Sequence, residues 1–122
     1  MKVHYYSSEI DKSEIMPVVV IDNGRPVGSC IVKTNLKVLI VHHLTVRDFA
    51  RRKGVATLMM EYIFFEAVNM KKEAVTVIVN ETNEPAYRLY SKLGFSIVHD
   101  RGDEYIMSIS SDDCANKLME VK

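Results

Sequence analysis

Val46-Arg47-Asp48-Phe49-Ala50-Arg51-Arg52-Lys53-Gly54-Val55-Ala56-Thr57 lies between two apolar patterns of different period. Before it, Leu36 to Leu44 is a run of strand character; after it, Ala56 to Met70 sets apolar residues at helical spacing. Four cations, Arg47, Arg51, Arg52 and Lys53, crowd the junction, with Gly54 where the helix should begin. The start of a helix carries unpaired backbone N–H groups and the positive end of the helix dipole, so it receives anions. A glycine there lets a ligand come close to the backbone. The stretch predicts a strand–loop–helix cradle for a phosphate. Taken by itself it reads first as a solvated basic loop and only second as a phosphate site, and it has neither the GxxxxGK[ST] spacing of a nucleotide P-loop nor the GxGxxG of a dinucleotide fold.

Composition narrows the field. The chain has 122 residues, 48% of them hydrophobic, with 16 cationic and 16 anionic side chains and a formal net charge of zero. That is one domain, 1–122, with a single core. A balanced charge argues against a general nucleic-acid or membrane-surface binder, and the local excess at Arg47 to Lys53 suits a small polyanion. No apolar run approaches the length of a membrane span, and Met1-Lys2-Val3-His4-Tyr5-Tyr6 has no signal-peptide core. Cys30 and Cys114 form no motif, so a reduced, cytoplasmic setting is expected.

Outward from the junction, Lys2 to Ser7 reads as a short strand and Ser8 to Met16 as a polar stretch with room for a helical turn or two. Pro17 opens a strand through Ile21, Asp22 to Pro26 is a turn, and Val27 to Lys33 returns as its hairpin partner. Glu73 to Asn80 reads as a central strand apolar on both faces, hence covered on both. Asn83 caps a shorter helix with Pro85 in its first turn and Gly94 as its stop. Phe95 to Val98 and Tyr105 to Ile109 form a closing hairpin, and residues 110–122 make a polar tail, loose or with one or two amphipathic turns. The order predicts an α/β (α+β) fold: a mixed, mostly antiparallel sheet flanked by helices.

The second informative stretch is Asn83-Glu84-Pro85-Ala86-Tyr87-Arg88-Leu89-Tyr90-Ser91-Lys92-Leu93-Gly94-Phe95. Arg51, Gly54 and Ala56 resemble the R/Q-x-x-G-x-G/A signature of the GNAT superfamily of acyl-CoA-dependent N-acyltransferases. Asn83, Ala86, Tyr90, Gly94 and Phe95 resemble its N-x-x-A-x-x-x-Y-x-x-x-G-F helix. Both occur about 30 residues apart, each after a strand, within a match from about Val18 to Ile109.

The resemblance implies a splayed pair of central strands and acetyl-CoA as co-substrate. The amides of Arg52, Lys53, Gly54, Val55, Ala56 and Thr57 would hold the diphosphate, helped by Arg51. Leu44, Thr45 and Val46 would run beside the pantetheine arm, with an amide near Leu44 to Thr45 polarising the thioester carbonyl. Asn83 would contact the arm near its reactive end, and Lys92 is a further phosphate contact. Tyr90, by periodicity a core aromatic, is by resemblance the general acid that protonates the leaving thiolate. Where many relatives carry a glutamate this chain has Ile40; His42, on the same strand face, is the candidate base for the incoming amine, with a water relay as alternative. His43 is expected to point the other way, toward a helix.

The N-terminal helical region is shorter than in relatives, which opens the acceptor site to a macromolecular amine or to completion by a second subunit in a homodimer. The reading is an N-acetyltransferase moving an acetyl group from acetyl-CoA to a primary amine by direct attack, with no metal. A non-catalytic acyl-CoA-binding module is the alternative, and a small anion- or nucleic-acid-binding domain the third.

Overall fold

The computed structural model describes residues 1–5 and 15–120, without the side chains of His4 and Tyr5. The helical turn or two expected between residues 8 and 16 falls largely outside the described residues. Seven strands, β1 (Lys2–Tyr5), β2 (Ile15–Asp22), β3 (Arg25–Thr34), β4 (Val38–Val46), β5 (Ala74–Asn80), β6 (Ser96–Asp100) and β7 (Glu104–Ser110), form one sheet in the order β1-β2-β3-β4-β5-β7-β6. Every neighbouring pair is antiparallel except β4 and β5. Three helices, α1 (Val55–Asn69), α2 (Glu84–Leu93) and α3 (Ser111–Glu120), follow β4, β5 and β7. This is the mixed, mostly antiparallel sheet expected from the sequence.

The helices occupy one face. Met16, Val18, Val20, Cys30, Val32, Leu39, Val41, Val75, Val77, Val79, Met107 and Ile109 alternate along their strands and are buried with Val55, Met59, Met60, Ile63, Phe64 and Ala67 of α1. Each fully buried Val or Leu contributes roughly 1.5–3 kcal/mol by leaving water, so this layer carries the stability.

On the opposite face the residues between them stay half-buried or exposed. Val75-Thr76-Val77-Ile78-Val79 reads as covered twice, yet Ile78 is 37% exposed. The expectation of a strand buried on both faces is corrected here: among the described residues, helices pack on one side only.

Other differences are local. β2 begins at Ile15, two residues before Pro17. Among the described residues Pro17 lies opposite Ile31 of β3, and the β1 register runs from Lys2 opposite Ile21 to Tyr5 opposite Val18. Of the alternatives the sequence leaves for the tail, residues 111–120 take the helical one, as a ten-residue helix. Its start is held by Ser111 N–H donating to Glu73 O at 2.9 Å and by Ser110 Oγ accepting from Asp113 N–H at 3.1 Å. Cys114 is fully buried where α3 lies against α1. Packing rather than propensity makes this polar segment helical.

Candidate active site

The site grows from a mismatch between β4 and its neighbours. β4 pairs with β5 only from Val38 opposite Ala74 to Val41 opposite Val77, though β4 continues to Val46 and β5 to Asn80. The register with β3 shows why. Ile31 faces His42 and Ser29 faces Thr45, so His43 and Leu44 together oppose Cys30. This is a bulge, and a bulge bends its strand and turns a backbone group out of the ladder. His43 takes φ +55°, and Thr45 Oγ1 donates to His43 O at 3.1 Å, bracing the kink.

Beyond Val41 the strands separate, and a cavity of about 380 Å³ opens between them. Val41, His43 and Leu44 line one wall, Ile78, Val79 and Asn80 another, and Asn83, Leu89 and Tyr90 of the α2 segment close it.

At its mouth β4 runs into the basic loop. A short 3-10 turn, Asp48–Ala50, is followed by left-handed Arg52 (φ +65°) and Gly54 (φ +78°). Such conformations in a non-glycine residue cost of order 1–3 kcal/mol and cluster where backbone is shaped for a ligand. Gly54 is the N-cap of α1 and supplies no side-chain cap; the first amide to find a turn partner there is Leu58 N–H, donating to Gly54 O at 2.9 Å. The leading amides of α1 therefore open on a second cavity of about 240 Å³, lined by Val46, Arg51, Arg52, Gly54, Val55, Ala56 and Thr57 among others.

A Cβ built on Gly54 would meet nothing within 4 Å, so the space above the loop is open to a ligand. Bare amides, a helix dipole and this open space fit a diphosphate. Gly28 of β3 fixes how closely α1 approaches: a Cβ there would lie 2.7 Å from Val55 Cγ1 and 3.3 Å from Thr45 O. Glycine lets the helix start settle beside the bulged strand.

Tyr90 is 6% exposed, in the wall of the slot, its ring edge-on to Phe95 at 5.3 Å. Burial, and then the neighbouring Cys30, push its pKa up to about 12, so the phenol keeps its proton at neutral pH. Asn83 caps α2 by accepting from Ala86 N–H at 3.3 Å, at the same wall. Arg51 also lines the slot and pairs with exposed Asp48 at 3.1 Å.

Leu44, Arg51, Asn83 and Tyr90 thus meet around the slot, and Val46, Arg51, Arg52 and Gly54 to Thr57 around the helix start. Lys53 and Thr45 are exposed and border neither cavity. His42 does not line the slot; it lies half-buried on the open face, with Ile40, next to Lys33 on β3. Its pKa is lowered by loss of solvent, then by Lys33 and His43, so it is neutral at pH 7. His43 is the histidine in the slot wall, exposed because the bulge breaks the alternation on which the sequence reading relied. Among the described residues no group of three or more His, Cys, Asp or Glu side chains is placed to hold a metal ion.

A splayed parallel strand pair beside a glycine-led helix with unpaired amides matches what sequence comparison finds. The sequence model of the acetyltransferase (GNAT) family matches residues 2–95. The chain belongs to that family. Its fold is similar to that of the ribosomal-protein-S18-alanine N-acetyltransferase of Escherichia coli, with a TM-score of 0.74 at 17% identity, covering 82% of this chain and 71% of that one. A GNAT family acetyltransferase from Elizabethkingia anophelis, solved with acetyl-CoA bound, gives 0.76 at 11% identity, covering 89% and 97%. In sequence the chain is 29% identical over 73 residues to the UPF0157 protein YqkA of Bacillus subtilis (strain 168). That match takes in 60% of this chain and 21% of YqkA, about a fifth of the length of the curated relative. Membership of the acetyltransferase (GNAT) family supports acyltransferase chemistry. No helix among the described residues is long and apolar enough to cross a membrane.

Proposed function

We propose that this GNAT protein transfers the acetyl group of acetyl-CoA to a primary amine by direct attack. The observation that carries the reading is the pair of neighbouring cavities, the amide-lined mouth at Gly54 and the β4–β5 slot in which Tyr90 sits, which share Arg51 and Leu89 as walls. Arg51, Arg52 and the amides of Gly54 to Thr57 bind the diphosphate, with Lys53 adding charge from the rim. Leu44, Thr45 and Val46 lie along the arm, and the bulge beside Leu44 offers an amide to the thioester carbonyl. The acetyl thioester supplies the electrophile. Tyr90, held protonated by burial, donates to the sulfur as the C–S bond breaks. Asn83 orients the arm at its reactive end.

The attacking amine must be neutral and must lose a proton once the C–N bond forms. His42, uncharged at pH 7, accepts it from the open face of the sheet, directly or through one water.

Mixing the protein with acetyl-CoA and a panel of peptide, polyamine and aminoglycoside amines tests the reading. Release of free thiol with at least one amine, in step with amide formation, is the expected result. Coenzyme binding without thiol release from any amine would instead mark a non-catalytic acyl-CoA-binding module.

A further inference from the structure

The sheet face that no described helix covers carries two rows of side chains around His42. Strand register sets Ile15, Lys33, Ile40 and Thr76 side by side in one row. The next row holds Pro17, Ile31 and His42, with Ile78 across the slot. Ile31 and Ile40 are half-buried, and Ile15 and Ile78 are 43% and 37% exposed. The floor on which an amine must arrive is therefore mostly isoleucine, and the one full charge in these two rows is Lys33.

Lys33 is exposed and makes no ion pair among the described residues. It faces Ile40 while His42 faces Ile31, so Lys33 and His42 are diagonal neighbours across β3 and β4. Diagonal neighbours on one sheet face lie about 7–8 Å apart, within reach of a long side chain. Its charge is felt at the histidine: loss of solvent, and then Lys33, hold the His42 pKa below its usual value.

Resting on the acetyl-transfer reading above, we infer that the acceptor is an amine carrying a carboxylate a few bonds from its nitrogen, as an apolar α-amino acid does, and that Lys33 selects it. The nitrogen sits between His42 and the slot, adds to the thioester carbonyl and gives its proton to His42. The carboxylate takes no part in the chemistry. It reaches back one row to the Lys33 ammonium, whose four-carbon stem lets the charge swing toward it. An apolar side chain then lies on Ile31 and Ile40.

The same arrangement disfavours polycations. A polyamine or an aminoglycoside brings further positive charge beside Lys33 and has no anion to offer it. Neither row holds a carboxylate that could receive those charges. Glu104, on β7 opposite Asn80, lies in neither row and already faces Arg101 at 3.8 Å.

Thiol release by the full chain with acetyl-CoA and L-leucine, L-leucinamide or spermidine tests this, with kcat/KM expressed per neutral amine. Wild type is expected to favour leucine over leucinamide about tenfold, the value of one hydrogen bond between charged groups, with spermidine below both. Lys33→Met, which keeps the apolar stem, should remove the preference for leucine, and Lys33→Glu should reverse it. Equal wild-type rates with leucine and leucinamide, or a preference for leucine that survives in either variant, overturns the inference. Turnover of spermidine without turnover of leucine also overturns it and leaves the acetyltransferase reading standing. No thiol from any amine, with coenzyme bound, would sink that reading and this inference with it.

Discussion

The two halves of the β4–β5 pair make opposite use of similar strands. From Val38 to Val41 the strands are hydrogen-bonded in register, with Leu39, Val41, Val75 and Val77 at most 3% exposed. Beyond Val41 the same two strands part, and the space between them is polar and apolar by turns: His43, Leu44, Val79 and Asn80. The bulge opposite Cys30 divides them. Below it backbone groups satisfy one another and side chains make core; above it the β4–β5 ladder ends and side chains face a cavity. Fold and chemistry are segregated along one strand, so substitutions on either side of the bulge should fail in different ways.

The largest expected effect breaks the lower half. Leu39→Ala should lower unfolding free energy by about 2–5 kcal/mol, measured by denaturant titration, because the removed side chain is fully buried. Turnover per folded molecule should stay within about twofold, since nothing at the slot is touched.

Above the bulge the pattern reverses. Gly54→Asp puts a carboxylate and a Cβ at a left-handed N-cap over the diphosphate cradle. Coenzyme affinity, read by calorimetry, should fall on the order of 100-fold, far beyond any loss of stability. Tyr90→Phe removes only the hydroxyl. It should lower kcat about 100-fold, the low end for a general acid, while the dissociation constant of coenzyme A shifts less than about twofold.

Smaller effects sharpen the boundary. His42 carries a pKa below its ordinary 6.5, so the rate should rise with pH through a value under 6.5 and be flat by pH 7. In His42→Gln that acid limb should vanish and kcat drop about tenfold. A limb that persists would assign it to another group. The smallest effect should come from thiol reagents. Burial raises both Cys30 and Cys114 to about 12, so neither should be alkylated at pH 8 in the folded protein, and both should react in denaturant.

How much of this could be read from residues alone depends on how local the signal is. The α2 segment announced itself: Asn83 as cap, Pro85 in the first turn and Gly94 at φ +105° as the stop all act within a few residues. The basic loop and Gly54 were legible for the same reason. What could not be read depends on partners distant in sequence. Val75 to Val79 has isoleucine and threonine between its valines, and only tertiary packing shows that, among the described residues, helices cover one face alone. The position of His43 depends on a two-against-one register that strict alternation does not foresee.

Residues 111–120 have few apolar side chains, and their helix is revealed only by where Cys114 and Leu118 pack. The sequence cue was the spacing of Ala115, Leu118 and Met119, which allows a turn or two but leaves a loose tail equally open.

The most direct measurement is a crystal structure of the protein with acetyl-CoA. The account predicts that the diphosphate rests on the amides of Gly54 to Thr57, that the arm lies in the β4–β5 slot along Leu44 to Val46, and that the thioester sulfur is within hydrogen-bond reach of the Tyr90 hydroxyl. A coenzyme seated elsewhere, or a sulfur with the Tyr90 hydroxyl turned away from it, would contradict it.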